Sequence, residues 1–485
     1  MKTLDHFRRL LASLVAVLGC AALVALPLSR PAGVAAQDPV AEYTISVPIV
    51  ASSLDIIGVH PFGVQMYGPL SDDAISHESL RRSRVSWIRW EVGWRAIQPT
   101  EPVPGQEPVY NWRIDEAAAQ ARDLGLNVIA TILSNPEWAS MRSADGEHWY
   151  SNGPVDPDHY DDFARFIADM ARRYPWITHY ELYNEPDNAN MMGAESPLAG
   201  PYWGLYGKEY ADMLKVVYPA LKEANPEAKL VFGGIAYDGF ADPACANTPE
   251  TCEGFYRPFV DDVLAAGGGD YFDVFNFHYY PTYHPNWDPF GPDIAGKASY
   301  LRSKLAEYGH PDKPIICTEV GLSSGPAPDC KQCTQNDQAR YIMQTAARSL
   351  SVDMDIVIWW TWKDILDPVL GTHGLVTKDL HPKLGVEAFR TVSLQLGQAT
   401  FVSSMDLGQG IEGYEFRSRS GRPLYVLWSS DGETHAAVLP VGAATVTTMV
   451  GEVTGRVADG ADGQVDGRIT VNVSSDPVYV EARDA

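Results

Sequence analysis

Basic residues are scarce in this chain: 37 Lys and Arg stand against 62 Asp and Glu, for a formal net charge of -25. Phosphate backbones are bound through Lys/Arg clusters, and none occurs here, so nucleic acid is excluded as a partner. Cysteine is also sparse, six in 485 residues. Cys330 and Cys333 form a single CxxC pair with no second pair to complete a zinc site, so a local disulfide is expected there. The twelve histidines are scattered, and the first strand-like run carries only His60 rather than a His-x-His. That argues against a metal-dependent barrel hydrolase, and neither metal nor cofactor is expected. Beyond the N-terminus no run is long and apolar enough to span a bilayer. No internal repeat is present, so any count of elements rests on pattern alone.

What is present begins with a targeting pattern over residues 1–36. Lys2, Arg8 and Arg9 precede an apolar run from Leu10 to Leu28, and Val34, Ala35 and Ala36 offer small residues for cleavage before Gln37. The run also has the length of an uncleaved anchor. The mature chain is expected outside the cytoplasm, secreted or tethered by that segment, and Cys20 falls within the apolar run. Cysteine use agrees with export: Cys245 and Cys252 bracket a polar loop that a disulfide could close, and Cys317 sits in an apolar strand as a buried thiol. Residues 37–54 read as a Pro/Ser linker.

From 55 to 397, strand-like runs alternate with amphipathic stretches, which signals parallel strands with helical crossovers. The candidate strands are Ile56–His60, Val85–Glu91, Asn127–Leu133, His179–Asn184, Lys229–Ile235, Phe272–Tyr280, Pro314–Glu319 and Asp355–Trp362. Helices are expected over Asp115–Leu124, Tyr160–Arg173, Lys208–Ala224, Ala295–Tyr308, Gln335–Leu350 and Gly385–Leu396, with a kink or break at Pro219. Eight such units specify an α/β fold, a (β/α)8 TIM barrel. After residue 398 short alternating runs replace the helical pattern: Ile411–Phe416, Leu424–Trp428, His435–Leu439, Ala444–Val450 and Arg468–Val473. Residues 398–485 therefore read as a small β-sandwich domain covering the barrel.

Barrel chemistry gathers at the C-terminal ends of the strands. His179-Tyr-Glu-Leu-Tyr-Asn184-Glu185-Pro186 ends the fourth strand in a carboxylate, and alternation puts Glu181, Tyr183 and Glu185 on one side. Pro314-Ile-Ile-Cys-Thr-Glu319-Val-Gly321 ends the seventh strand in another. Alone, the first reads as a polar strand-to-loop turn and the second as a solvated carboxylate at a strand end. Together they project over one rim, where two carboxyl groups about 5 to 5.5 Å apart suit a double displacement.

At these residues the chain resembles clan A of the glycoside hydrolases. The resemblance covers residues 55–397 and implies Glu185 as acid/base and Glu319 as nucleophile. It further implies that Arg89, in Trp87-Ile-Arg-Trp90, supports the nucleophile, and that Asn184 contacts the sugar 2-hydroxyl. Phe277-His278-Tyr279-Tyr280 is similar to the clan's His-x-Tyr, whose tyrosine bonds the nucleophile. Ile358-Trp359-Trp360-Thr361-Trp362 falls where a tryptophan floors the cleavage subsite; Trp360 and Trp362 share parity, so alternation does not choose between them. Asn135-Pro-Glu-Trp138 resembles a Pro-x-Trp wall, with Glu137 a carboxylate of no catalytic role. Family 39, with exo-acting β-xylosidase-like activity, and a family-5-like endo-acting glucanase or mannanase both remain open.

Each residue also has a structural reading: Arg89 paired to a buried carboxylate, His278 satisfied in the core, the tryptophans as packing. The expected function is hydrolysis of β-glycosidic bonds in an oligo- or polysaccharide. The alternatives are a non-catalytic carbohydrate-binding barrel at the cell surface and a purely structural surface protein. The sequence says nothing about oligomeric state.

Overall fold

The computed structural model describes residues 59–484 apart from 68–73, 143–145, 147–148, 190–201, 239–250, 253–254, 283–286, 288, 328–329 and 366–370. The expected leader, the linker, Cys20 and Cys245 lie outside the described residues.

Eight parallel strands build the barrel: β1 (Phe62–Gln65), β2 (Trp87–Gly93), β3 (Asn127–Leu133), β4 (His179–Leu182), β5 (Lys229–Val231), β6 (Phe275–Tyr279), β7 (Ile315–Val320) and β8 (Met354–Trp359). They follow one another laterally, with β1 beside β8. The gap between β5 and β6 is closed by parallel bridges Val231–Val274 and Ile235–Phe277. Between and after the strands run α1 (Ala74–Ser83), α2 (Asp115–Asp123), α3 (Tyr160–Arg173), α4 (Gly207–Ala224), α5 (Phe259–Ala265), α6 (Asp293–Glu307), α7 (Gln335–Ser351) and α8 (Leu384–Gln395). No helix among the described residues is long and apolar enough to cross a membrane.

The first strand lies downstream of the apolar run Ile56–His60. Phe62 and Val64 pack outward into the main hydrophobic cluster. Of the alternate positions, Gly63 abuts Ile358 and Trp87, where a Cβ would come within 2.5 Å of both, and the Gln65 amide meets Arg89. A four-residue strand whose inward positions are Gly and Gln lacks the continuous apolar run of a strand buried on both faces, so the pattern pointed upstream. In α4, Pro219 does not interrupt the helix. It sits on the exposed face, where the carbonyl it leaves unbonded can turn to water.

The barrel interior is layered by the two-residue period of its strands. Trp87, Ile129, Val231, Val274, Ile316, Ile356 and Ile358 form an apolar plug. Two residues further along the strands come Arg89, Thr131, Asn276 and Thr318, joined by Gln65 and Glu181, all buried. The plug excludes water from below, so this polar layer must satisfy itself internally.

The C-terminal region forms a six-stranded antiparallel sheet and a two-stranded one. The strands are β9 (Thr400–Ser404), β10 (Ile411–Arg417), β11 (Pro423–Ser429), β12 (His435–Leu439), β13 (Ala443–Thr448), β14 (Val453–Ala458), β15 (Ile469–Val473) and β16 (Val478–Ala482). The larger sheet runs β9-β10-β11-β16-β13-β14, and β12 pairs β15. One face of the large sheet, with Tyr414, Phe416, Val426 and Trp428, joins the barrel's hydrophobic cluster. The other, with Tyr425, Leu427 and Val480, packs on Ala437, Leu439, Ile469 and Val471. Strands β9 and β14 escape a sequence reading because their residues are mostly exposed at the sheet edges.

Cys330 and Cys333 form a disulfide in the β7–α7 loop, directly before Thr334, which caps α7 in a reciprocal box with Asp337. Cys317 is a buried free thiol.

The barrel and the sandwich are joined by an ion-pair network. Arg348 of α7 donates twice to Glu412 of β10 at 2.8 Å, approaches Asp293 of α6 at 3.2 Å and lies over the Trp428 ring. Replacing it leaves two nearly buried carboxylates unpaired, a loss of about 3–5 kcal/mol for a buried pair. Arg348→Met should therefore lower the melting temperature in a thermal scan, and an unchanged midpoint would discount the network.

Candidate active site

The polar layer is organised by one guanidinium. Arg89 donates to both oxygens of Glu181 at 2.7 and 2.9 Å, to Glu319 Oε1 at 2.8 Å, to Asn184 Oδ1 at 2.8 Å and to Gln65 Oε1 at 3.0 Å. Glu181 is further held by Thr131, by Asn276 and by Thr318. A fully buried cation with this many partners is fixed in position, and it carries fixed positive charge to Glu319.

Strand alternation alone would turn Glu319 outward, since Ile316 and Thr318 face the barrel axis. A bulge in β7 changes this. Phe277 of β6 pairs with Cys317, but the next residue, His278, pairs with Glu319. Thr318 is thus the extra residue, and both it and Glu319 face inward.

At β4 the regular strand stops at Leu182, and Tyr183 and Glu185 adopt φ of 65° and 48°. Such left-handed residues cost of order 1–3 kcal/mol each and persist where the surroundings hold them. Here the Tyr183 N–H donates to the Ile132 carbonyl and the Glu185 N–H to the Gly234 carbonyl. The expectation that Tyr183 shares a side with Glu181 and Glu185 is overturned by this turn. Its ring packs against Phe163 and Trp203, and its hydroxyl donates to Asn135. Asn184 turns inward to Arg89 instead.

His278 lies between the two carboxyl groups. Nδ1 is 3.1 Å from Glu185 Oε1 and 3.6 Å from Glu319 Oε2, and Nε2 is 3.1 Å from the Thr318 hydroxyl. Burial, with Arg89 and Lys297 nearby, holds the imidazole well below its usual range, so it is neutral, and its contacts with Glu185 and Thr318 are hydrogen bonds rather than ion pairs. Glu185, His278 and Glu319 each place one donor atom within 4.8 Å of the others. That spacing would admit a metal ion, but the guanidinium on Glu319 opposes a second cation there.

Tyr280 donates to Glu319 Oε2 at 2.9 Å. Trp360 stands edge-on to Tyr280 and to Tyr67, and its Nε1 donates to the Tyr67 hydroxyl at 2.6 Å. The strand ends at Trp359, so shared parity no longer governs the two later tryptophans. Trp360 adjoins the carboxylates' tyrosine, while Trp362 belongs to the hydrophobic cluster. Trp138 is partly buried, and its ring contacts are with Trp94 and His159. Glu137 pairs with Arg142 at a half-exposed position. His60 precedes β1 at the opposite end of the barrel and bonds the Arg84 carbonyl.

Sequence reasoning overlooked Gln65, Tyr67, Glu91, Asn276 and Thr318, and gave Glu181 no role. The available signal was polar residues at alternate positions of otherwise apolar strands, as in Phe275-Asn-Phe-His278.

Glu185 is pushed well above the ordinary carboxylate range, first by burial and then by the charges of Glu319 and Asp187. Burial also raises Glu319, but Arg89 and the Tyr280 hydroxyl oppose the rise. Both carboxyls are therefore raised, Glu185 the further of the two, and they titrate as a coupled pair in which Glu185 is the better place for a proton.

The family model described as cellulase (glycosyl hydrolase family 5) matches residues 57–365. No curated protein matches the chain. Among solved structures, a family 39 glycoside hydrolase from Bacteroides cellulosilyticus is similar with a TM-score of 0.65 at 21% identity, over 87% of this chain and 81% of that one. A family 30 endoxylanase from Clostridium papyrosolvens gives 0.56 at 12% identity, over 88% and 97% of the two chains. An endo-β1,6-glucanase gives 0.58 at 14%, over 88% and 92%. At these identities the structural likeness is one of fold.

A carboxyl raised by folding binds its proton more tightly in the native state, so its contribution to stability is full below the unfolded value and is lost as pH rises through the native one. For Glu185 that loss begins near the ordinary value of 4.5. Glu185→Gln should be more stable than the wild type at pH 7, the difference closing towards pH 4; melting curves across pH check this, and a constant gap would contradict it.

Proposed function

The chain belongs to the cellulase family, glycosyl hydrolase family 5, and from that membership we propose that it is a retaining O-glycosyl hydrolase that cleaves β-glycosidic bonds of oligo- or polysaccharides through a covalent glycosyl-enzyme. The observation that carries the reading is the meeting of two buried carboxyl groups at one barrel mouth, with oxygens within 4.8 Å of each other and only Glu319 bonded to a guanidinium. Retaining enzymes place their carboxyl groups about 5–5.5 Å apart, whereas inverting enzymes leave about 6.5–9.5 Å for a water.

In this mechanism ionised Glu319 attacks the anomeric carbon as Glu185 passes its proton to the glycosidic oxygen, and the bond between them breaks. Esterification removes the negative charge of Glu319, one of the causes holding Glu185 protonated, so Glu185 becomes the stronger acid it must be to leave as a carboxylate. It then takes a proton from water, which attacks the same carbon and releases Glu319. Arg89 and Tyr280 keep the nucleophile ionised and aimed. Because Arg89 can only donate, it fixes Oδ1 of Asn184 towards itself and leaves the amide N–H2 for a sugar hydroxyl. Trp360 supplies an aromatic wall, and we assign the hydrophobic Trp362 a packing role.

The neighbours named as an endoxylanase, an endo-β1,6-glucanase and a family 39 hydrolase support neutral β-linked glycans as substrates, with exo and endo action to be separated by product analysis. The N-terminal pattern and the Cys330–Cys333 disulfide support an exported protein, secreted or tethered.

Glu319→Ala should abolish hydrolysis of aryl β-glycosides and polysaccharides, and azide should rescue the aryl substrates with inverted product by NMR. Glu185→Ala should lose roughly 100- to 10,000-fold on poor leaving groups and far less on activated ones. Activity of the wild type should be bell-shaped in pH, rising as Glu319 ionises and falling as Glu185 does. Glycan binding by wild type and Glu319→Gln alike, without hydrolysis, would return the barrel to a binding role.

A further inference from the structure

Glu91 is a third carboxyl group at the same mouth. It follows Trp87 of the apolar plug and Arg89 of the polar layer at the two-residue period of β2, and it stands in register with Thr131 of β3. It is therefore the next inward position above Arg89, and it is part-buried. Its charge and that of Glu319 both bear on the Tyr67 hydroxyl, and its charge and that of Glu185 both bear on Tyr202. These neighbours place it around the same space as the two glutamates.

In the polar layer below, Arg89, Thr131, Glu181, Asn276 and Thr318 all have side-chain partners, and the Gln65 amide accepts from Arg89 but leaves its Nε2 unpaired among the described residues. Glu91, by contrast, has no hydrogen-bond or ion-pair partner among the described residues. A part-buried carboxyl without a partner is costly, and retaining one in a cleft is characteristic of a group whose partner is the ligand. Burial pushes it up to about 7, with Arg89 lowering it and Glu319 and Glu181 raising it. Its two oxygens can accept from two neighbouring hydroxyls, and the mouth they face already holds the charge of Glu319.

We propose that Glu91 is the specificity-determining residue of the cleavage subsite, holding ring hydroxyls of a neutral sugar and shutting out uronic acids. The proposal rests on the hydrolase reading above. Glu91 does not touch the reacting atoms; it acts by where it holds the glycone. Hydrogen bonds to a charged group that strengthen as the sugar ring flattens affect turnover as well as binding.

The test takes wild type, E91Q and E91A against 4-nitrophenyl β-D-xyloside, glucoside, galactoside, mannoside and glucuronide, then against monodeoxy forms of whichever parent the wild type cleaves fastest. Removing the hydroxyl that Glu91 holds should cost the wild type about 10- to 100-fold in kcat/KM. The same deletion should cost E91A almost nothing, because the partner is already gone. E91Q should fall between the two and should lower the wild-type rejection of the glucuronide. Melting curves should show both variants folded and no less stable than the wild type at pH 7. If every deoxy substrate is penalised equally in wild type and E91A, or if E91A matches the wild type on the parent glycoside, Glu91 has no such role. Those results leave the hydrolase standing provided Glu319→Ala is inactive; a wild type inactive on all glycosides overturns both readings together.

Discussion

The Arg89 guanidinium, locked between Glu181 and Glu319, is the interaction on which the rest of the site depends. Glu181 is the structural partner, saturated by Thr131, Asn276 and Thr318 at the barrel axis. Glu319 is the partner left facing the mouth. One cation shared between two carboxylates opposes the rise that burial imposes on the second. The charge of Glu319 adds to burial in raising Glu185 across the way. The two carboxyl groups thus differ chiefly in that Glu319 has the guanidinium as a partner and Glu185 does not. Coupling of this kind explains why titration belongs to the pair and not to either residue.

Much of this was legible in the amino-acid order, for identifiable reasons. Long apolar strands such as Asn127–Leu133 and Tyr160–Arg173 with its strong helical periodicity announced themselves. The two glutamates could be singled out because each ends an apolar strand. What escaped the reading lies where regular periodicity stops. The bulge at Thr318 and the left-handed residues Tyr183 and Glu185 break alternation at the very positions that build the site. Strand β1 was displaced because a glycine and a glutamine line its inner side. The choice between Trp360 and Trp362 required coordinates, since no strand parity extends past Trp359.

The sandwich is tied into the same framework. Its inner sheet face is continuous with the barrel's hydrophobic cluster, and Arg348 links α6, α7 and β10. Helix α7 begins at the Thr334 cap beside the Cys330–Cys333 disulfide, at the end of the loop that follows Glu319. The segment leaving Glu319 is therefore anchored at a covalent staple and, beyond it, by the second domain. Hydrogen bonds of Ser323 and Ser324 with Thr372, and from Gln338 to the Leu322 carbonyl, hold the same exit from β7.

The extra residue in β7 has a consequence for anyone who recombines such barrels. Cutting and splicing strands by matching their lengths would treat Thr318 as an ordinary ladder position. A chimera one residue shorter there would keep the hydrophobic contacts of the strand's lower half but lose the Thr318 hydroxyl that serves Glu181, Asn276 and His278. Its glutamate, however, would point into the helix layer instead of the lumen. Inheritance of the chemistry thus travels with a miscount in the ladder, not with the carboxylate alone, and alignment of such strands has to be anchored on the insertion.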